Sequence, residues 1–467
     1  MADRERYDLI VVGSGPGGYV ACLHAAKLGM KVACVEKEER VGGVCLNLGC
    51  IPSKALLDSS DHYAAARHRF REHGIRVGNL DFDLRSMMNR KDRVVNDLAQ
   101  NLRRLMEGSR ISMIRGTARL TDGNEVRVTP KGGRKGEYVT IYASRAVLLA
   151  TGSEPVQVPG LPFDGERIVN STDALAFESV PGRLGIVGGG YIGLELGSVW
   201  NRLGSKVTVI EMLPRIAGAV DGQVSRALER VLSRQGFSFR LQTKVLKAQT
   251  VGGEVRVVLE EKGRQEEAVF DCLLVAVGRR PLSRGLGLRE LGVDLDGRTG
   301  HVIVDAHYRT NLPTLYAVGD LIHGPMLAHK ASAEGVAAVE CIAGLPGEVN
   351  YDAIPSVIYT SPEVASVGIT EEKAKERGVA YRVGTYPFTG VGRARCLGEV
   401  DGFVKVIAHS RTGRILGVHI MGPHASDIIS ECVLAMEFNA TREDVARTVH
   451  GHPTFSEAIR EAVLAIK

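Results

Sequence analysis

The chain runs to 467 residues, 44% of them hydrophobic, with a formal net charge of +5 and a mean hydropathy of −0.01. That length exceeds one ordinary core and implies two to four domains, and the lack of any apolar run of about 18 residues excludes a spanning helix. The basic clusters Arg67, Arg69, Arg71 and Arg90, Lys91, Arg93 are broken by acids and apolar residues, so they read as solvated helix faces and carry no nucleic-acid module.

The opening residues 1–6 mix both charge signs and pass straight into Tyr7–Val12, with no signal core or transit segment ahead of it, so a cytoplasmic protein is expected. Tyr7–Val12 reads as a strand. It runs into Gly13-Ser-Gly15-Pro-Gly-Gly18, a helical stretch Tyr19–Leu28 closed by Gly29, and a strand Lys31–Val35 that delivers Glu36. This is the dinucleotide fingerprint in its proper setting. Glycines let the backbone approach a pyrophosphate, the helix N-terminus stabilises it, and the acid accepts ribose hydroxyl bonds.

Next comes Val41-Gly-Gly-Val-Cys45-Leu-Asn-Leu-Gly-Cys50-Ile-Pro-Ser-Lys54. Of the eight cysteines, Cys22, Cys34, Cys272, Cys341, Cys396 and Cys432 are dispersed, mostly in apolar stretches where a thiol behaves as a small hydrophobe. Cys45 and Cys50 are close-set. On a regular helix, residues five apart point about 140° apart and rise about 7.5 Å, whereas a disulfide needs Cα atoms within about 7 Å and converging Cβ vectors. Pairing therefore requires the backbone to leave the helix, and Gly49 can supply the departure. A tight, distorted ring suits a cycling disulfide better than a structural staple. Pro52 fits the first turn of a helix continuing through Ala55-Leu-Leu, which puts Cys50 near an N-terminus that favours thiolate. A zinc site would need two more suitably spaced ligands, so no metal is expected. An inert pair of thiols is the remaining alternative.

The fingerprint recurs. Leu184-Gly-Ile-Val-Gly188-Gly-Gly190-Tyr-Ile-Gly193 opens a helix to Leu203, Gly204 closes it, and strand Lys206–Ile210 delivers Glu211. From the last fingerprint glycine to the acid is 18 residues in both copies, Gly18 to Glu36 and Gly193 to Glu211. One such loop is weak; two with matched acids are not. Two dinucleotides on one chain imply electron transfer between them, and flavin with nicotinamide is the natural pair. Glu211 should bond a 2′-hydroxyl and repel a 2′-phosphate, which favours NAD, with Arg215 four residues on as the group that could offset it.

Closing strands follow each copy: Ala146–Ala150 ends in Thr151-Gly152, Cys272–Val277 ends in Gly278-Arg-Arg-Pro, and Leu315-Tyr-Ala-Val-Gly319-Asp320 breaks at Gly-Asp. The order predicts an α/β fold of two Rossmann-like dinucleotide-binding domains, the NAD domain (150–277) inserted in the FAD domain (1–149, resuming over 278–346), with a further α+β unit over 347–467. In that last unit Phe403–Ala408 and Arg414–Ile420 read as a hairpin. Ile428, Ile429, Cys432, Val433 and Met436 give one helix an apolar face, equally suited to core packing and to a subunit contact. His450, His452 and Glu457 share a polar turn before the final helix. A thiol exchanger needs a base, usually His near neutrality; Pro453 biases the backbone of His452 away from helix, yet spacing alone does not choose between the two histidines.

The segment Gly42–Lys54 resembles the redox motif of the pyridine nucleotide–disulfide oxidoreductases, and the likeness extends along the chain. It takes in both fingerprints, Ala317-Val-Gly-Asp320, Met326-Leu-Ala-His-Lys-Ala331, Tyr359-Thr-Ser-Pro-Glu-Val-Ala-Ser-Val-Gly368 and His450-Gly-His-Pro-Thr-Phe-Ser-Glu457. The resemblance implies oxidation of dihydrolipoamide, with electrons passing through the Cys45–Cys50 disulfide and FAD to NAD. Gly13, Gly15, Gly18 and Glu36 would bind the FAD adenosine diphosphate, Asp320 its ribityl chain, and Lys54, paired with Glu195, would lie beside the flavin. Gly188, Gly190, Gly193 and Glu211 would bind NAD; Thr151, Gly152, Ala328 and Gly278 complete the cofactor-binding set. Read without the resemblance, Lys54 and Glu195 are surface charges.

Cys45 becomes the exchange thiol, Cys50 the charge-transfer thiol, His452 the base and Glu457 its orienting carboxylate, with a cis His452–Pro453 bond. The last unit becomes a dimerisation domain, so that a homodimer shares its active sites and receives lipoyl groups from a protein of a 2-oxo-acid dehydrogenase or glycine cleavage complex. Val44 and Leu282 depart from the family's common Thr and Asn. Glutathione reductase-like and mercuric reductase-like enzymes, or a mainly assembly-type subunit, are the alternatives; the first would want basic groups around Glu211, the second C-terminal cysteines.

Overall fold

The computed structural model of the chain describes residues 5–133 and 136–467; the first four residues of the charged start lie outside these. The chain divides into two compact units, Met1–Pro52 with Asn89–Val156 and Arg279–Val349, and Ser53–Met88 with Gln157–Gly278 and Asn350–Lys467.

The first unit is built on a seven-stranded sheet. Its parallel part runs Ser112–Arg115, Val32–Glu36, Arg6–Val12, Val139–Leu149 and Leu315–Ala317, and an antiparallel ribbon of Glu125–Thr129 and Thr117–Asp122 extends it. Leu9–Val12 and Val147–Leu149 are buried, as strands covered on both faces must be, which is why they read as unbroken apolar runs. The helix Pro16–Lys27 starts one turn earlier than the residues suggested, with Pro16 in its first turn. It packs against the helix Ala328–Ala343 so closely that a Cβ on Gly335 would lie 2.4 Å from the Gly17 carbonyl oxygen. Lys91 is only 8% exposed, because this residue of the long helix Leu84–Gly108 turns into the fold, so it does not belong to a solvated face.

The second unit holds a five-stranded parallel sheet in the order Ser238–Arg240, Lys206–Ile210, Arg183–Val187, Cys272–Val275, Ile168–Val169. Thr243–Val251, Glu254–Glu261 and Arg264–Phe270 form an antiparallel ribbon beside it in sequence. A second five-stranded sheet, antiparallel, runs Ser356–Ile358, Glu363–Gly368, Ile415–Gly422, Phe403–His409, Tyr381–Pro387. The hairpin of Phe403–His409 and Ile415–Gly422 is the one the sequence indicated. Helix Ala425–Glu437 turns Ile429, Cys432 and Met436 inward, while Leu434 and Phe438 beyond them are exposed. Trp200 is fully buried in the helix Tyr191–Arg202.

The thiols sort as their surroundings dictate. Cys22, Cys34, Cys272 and Cys432 are buried; burial pushes the Cys272 thiol up to about 12, which makes it unreactive near neutrality.

Candidate active site and nucleotide sites

In the first unit Cys45 and Cys50 form a disulfide with Cα atoms 4.7 Å apart. The helical run breaks between them: one helix spans Gly43–Leu48, Gly49 follows at φ −144°, ψ −105°, and a second helix begins at Cys50. Gly49 is also where the chain closes on itself, since a Cβ there would lie 3.1 Å from the Val44 carbonyl oxygen. Cys50 thus heads its helix, as the sequence implied, and Lys54 lies on that same helix. Val44 is 38% exposed.

The loop ahead of the disulfide is tied to the first fingerprint. Ser14 is fully buried; its hydroxyl donates to Glu36 Oε2 at 2.6 Å and accepts from the Gly42 amide at 3.2 Å, while its carbonyl accepts from the same amide at 3.0 Å. Glu36 also takes the Ser14 amide at 2.9 Å and, on its other oxygen, the Glu38 amide at 2.9 Å. The fingerprint glycines divide by cause. A Cβ on Gly13 would lie 2.5 Å from the Ala150 carbonyl oxygen, and one on Gly18 only 1.9 Å from that of Gly13, so strand, turn and helix crowd both. Gly15 would meet nothing nearer than 4.0 Å. Its missing side chain leaves room at the helix N-terminus, where an anionic group is favoured.

Asp320 follows the buried strand Leu315–Ala317 and accepts from the Ser153 hydroxyl. Ser153 is held in turn by Arg279, whose guanidinium donates to its hydroxyl and to its carbonyl, each at 2.7 Å. Thr151 donates to the Leu282 carbonyl at 2.9 Å, and the Leu282 amide donates to the Gly152 carbonyl at 2.9 Å. Only the backbone of Leu282 makes these bonds, so the departure there leaves the turn intact. Ala328 is the first residue of the helix Ala328–Ala343.

In the second unit the backbone crowding of the fingerprint recurs at the matching glycines. A Cβ on Gly188 would lie 2.5 Å from the Ala276 carbonyl oxygen and one on Gly193 2.4 Å from that of Gly188, while Gly190 meets nothing within 4 Å. Glu211 accepts the Gly189 amide at 2.7 Å and, on its other oxygen, the Leu213 amide at 2.8 Å. Gly278 follows at φ +129° with nothing within 4 Å of a Cβ. Arg215 is engaged elsewhere: it donates to the Gly218 carbonyl at 3.0 Å and pairs with Glu372 at 3.7 Å.

Glu195 is no surface charge. It is 3% exposed, and its carboxylate takes Lys54 Nζ at 2.7 Å and the Tyr359 amide at 3.0 Å. Lys54 Nζ also lies 4.3 Å from the centre of the Tyr359 ring, a cation–π contact that holds the ammonium in place. Tyr359 stands in the segment Tyr359–Gly368, far in sequence from Lys54, and only the fold brings it to the pair.

The two histidines separate. The His450 side chain is 5% exposed and both its ring nitrogens are occupied, Nε2 by Glu431 at 2.7 Å and Nδ1 by the Thr448 carbonyl at 3.0 Å. The His452 side chain is 79% exposed, with Nδ1 2.9 Å from Glu457 Oε1 and a cis bond to Pro453. A carboxylate can only accept, so Nδ1 carries a proton, and in the neutral ring Nε2 is then the nitrogen with a lone pair. The bond from His452 and one from the Thr454 amide hold the Glu457 carboxyl below its usual range, keeping it ionised.

Residues 7–335 match the family model described as pyridine nucleotide-disulphide oxidoreductase, and residues 354–463 match its dimerisation domain. The mitochondrial dihydrolipoyl dehydrogenase of Pisum sativum is 45% identical over 463 residues, which cover 99% of this chain and 91% of that protein. Leghemoglobin reductase of Glycine max is 44% identical, covering 99% and 88%. Among solved structures, LpdA of Mycobacterium tuberculosis superposes with a TM-score of 0.90 at 26% identity, covering 98% of this chain and 99% of that one.

Proposed function

The chain belongs to the pyridine nucleotide-disulphide oxidoreductase family, and from that premise we propose that it is a dihydrolipoyl dehydrogenase: dihydrolipoamide + NAD⁺ → lipoamide + NADH + H⁺. The observation that carries the reading is the Cys45–Cys50 disulfide in the same unit as a dinucleotide fingerprint, with a second fingerprint elsewhere in the chain.

FAD is held by Gly13, Gly15, Gly18 and Glu36 at its adenosine end and by Asp320 at its ribityl chain; Thr151, Gly152, Ala328, Lys54 and Glu195 complete that site. The open space at Gly15 fits a phosphate there. NAD is held by Gly188, Gly190, Gly193, Glu211 and Gly278. Arg215, paired with Glu372, does not offset Glu211, which supports NAD over NADP. FAD held there would supply the two-electron acceptor for the reduced Cys45–Cys50 pair and the hydride donor for NAD⁺.

His452 Nε2 removes the proton of one substrate thiol. The thiolate attacks the Cys45 sulfur, breaking the Cys45–Cys50 bond and leaving Cys50 as thiolate at its helix N-terminus. The second substrate thiol, deprotonated in turn, displaces Cys45 and closes the lipoamide disulfide, and Cys45 takes up a proton. Glu457 keeps the imidazole in its working tautomer and stabilises the imidazolium. The domain limits are those set out above, 1–149 with 278–346 around 150–277, then 347–467 for dimerisation. His452 of one subunit serves the disulfide of the other, and the lipoyl group arrives on a protein of a 2-oxo-acid dehydrogenase or glycine cleavage complex. The protein is placed in the cytoplasm; cell fractionation checks this, a mitochondrial location being the contrary outcome.

The purified protein should be yellow and reduce lipoamide with NADH far faster than oxidised glutathione. Glutathione turnover with little lipoamide activity would overturn the reading.

A further inference from the structure

Two charges in the first unit are wholly removed from water and take no part in the chemistry above: Lys330 and Glu334, each 0% exposed, one turn apart on the helix Ala328–Ala343 and 3.0 Å from each other. Burying such a pair is unfavourable unless its remaining donors and acceptors are met, and well-packed apolar residues of like volume usually do as well or better for stability. What these groups meet is specific. Glu334 Oε2 accepts the Gly319 amide at 2.8 Å, and Lys330 Nζ donates to the Gly319 carbonyl at 3.1 Å and to the His323 carbonyl at 3.4 Å. The pair therefore grips both sides of Gly319, a residue at φ +75° that carries the chain into Asp320. The helix bearing the pair is the one locked against Gly17 of the first fingerprint helix.

We propose that Lys330 and Glu334 are positioning residues that fix the Asp320 carboxylate relative to the first fingerprint, so that the two ends of FAD meet a site of set span; this rests on the reading that Asp320 and the first fingerprint bind FAD. Removing both charges should leave a folded protein in which the Gly319–Asp320 turn is loosened.

The test compares the wild type with Lys330→Met/Glu334→Leu, which keeps the volume apolar, and with Glu334→Gln, which keeps shape and an acceptor. All are purified as holoenzyme and followed by flavin release, by flavin midpoint potential and by thermal melting. The double variant should melt near the wild type yet bind FAD at least tenfold more weakly, with a shifted potential; Glu334→Gln should show the same shift in smaller measure. Should the double variant fail to fold, Glu334→Gln decides alone. Variants with wild-type FAD affinity and potential, whatever their melting temperature, would overturn the proposal. A wild type that takes up no flavin would sink the cofactor reading and the clamp with it, whereas a flavin-loaded wild type with indifferent variants sinks the clamp alone.

Discussion

The two fingerprints are built alike and wired differently. Each ties its acid to the amide after the first glycine and to the amide two residues beyond the acid, through bonds of 2.7–2.9 Å. At the position after the first glycine, however, one copy has Ser14 and the other Gly189. The hydroxyl of Ser14 joins Glu36 to the loop that leads into Cys45, so in the first unit the nucleotide end and the redox end share a residue. Gly189 has no such reach; its carbonyl simply takes the Ala217 amide at 2.7 Å. The same local sequence pattern thus yields a site coupled to its neighbour in one unit and a self-contained one in the other.

That contrast can be broken or sharpened by substitution. The largest effect is expected from Cys45→Ser, which removes the thiol proposed to exchange with substrate. Lipoamide reduction should fall by about three orders of magnitude or more, while flavin absorbance and NADH-driven flavin bleaching persist. Loss of the flavin as well would show that the disulfide is part of the cofactor site itself.

Each unit also has a buried lysine, and these differ too. Lys405, 2% exposed, is held by Asp221 at 2.9 Å and Glu371 at 2.7 Å, and Asp221 caps the helix Gly222–Arg234. Lys405→Met takes the paired side-chain cation from the fully buried Asp221 and leaves Glu371 to Lys375 and Tyr381, and should cost about 3–5 kcal/mol, read as a lower urea midpoint for Trp200 fluorescence, a reporter confined to the second unit. Bonds from Lys405 first, then Lys375 and Tyr381, bring Glu371 down to about 2; burial raises Asp221, but Lys405 and nearby His419 more than reverse it. Because both folded values lie below the unfolded ones, the stabilisation is complete above about pH 4.5 and is lost as pH falls toward 2. In Lys405→Met that slope should flatten; an unchanged slope would remove the cluster from the account.

Gly193→Ala forces a Cβ to within 2.4 Å of the Gly188 carbonyl oxygen. A strain of about 1–3 kcal/mol should raise the KM for NADH roughly tenfold or more while flavin content stays full. Ser14→Gly, which turns the first copy into the second, has the smallest expected effect. It removes two hydrogen bonds worth about 1 kcal/mol each, and should weaken FAD and quicken thiol exchange of the isolated disulfide several-fold without touching the KM for NADH. A change in that KM instead would mean the copies are not independent.

Much of this was legible in the residues. The fingerprints, the interrupted helix at Gly49 and the hairpin near Phe403 follow from local rules, namely glycine spacing, ring geometry and alternation, so they needed no knowledge of tertiary contacts. Lys54, Glu195 and Lys91 did not, because a charged residue on a helix looks solvated until the fold decides which side it faces. Glu195 meets Lys54 across 141 positions of sequence, and no periodicity carries that information. His450 against His452 was closed to spacing for the same reason: Glu431, which occupies His450, comes from the helix Ala425–Glu437, outside the turn that holds both histidines.

The pairing of Arg215 with Glu372 bears on how such a chain could acquire a different appetite for coenzyme. A guanidinium already stands four residues past Glu211, restrained by one carboxylate and one carbonyl. Replacing Glu211 alone would remove repulsion without offering attraction; releasing Arg215 alone would offer attraction that Glu211 cancels. On the proposed role of Glu211, preference for the phosphorylated coenzyme would then take two changes together, each of little use without the other.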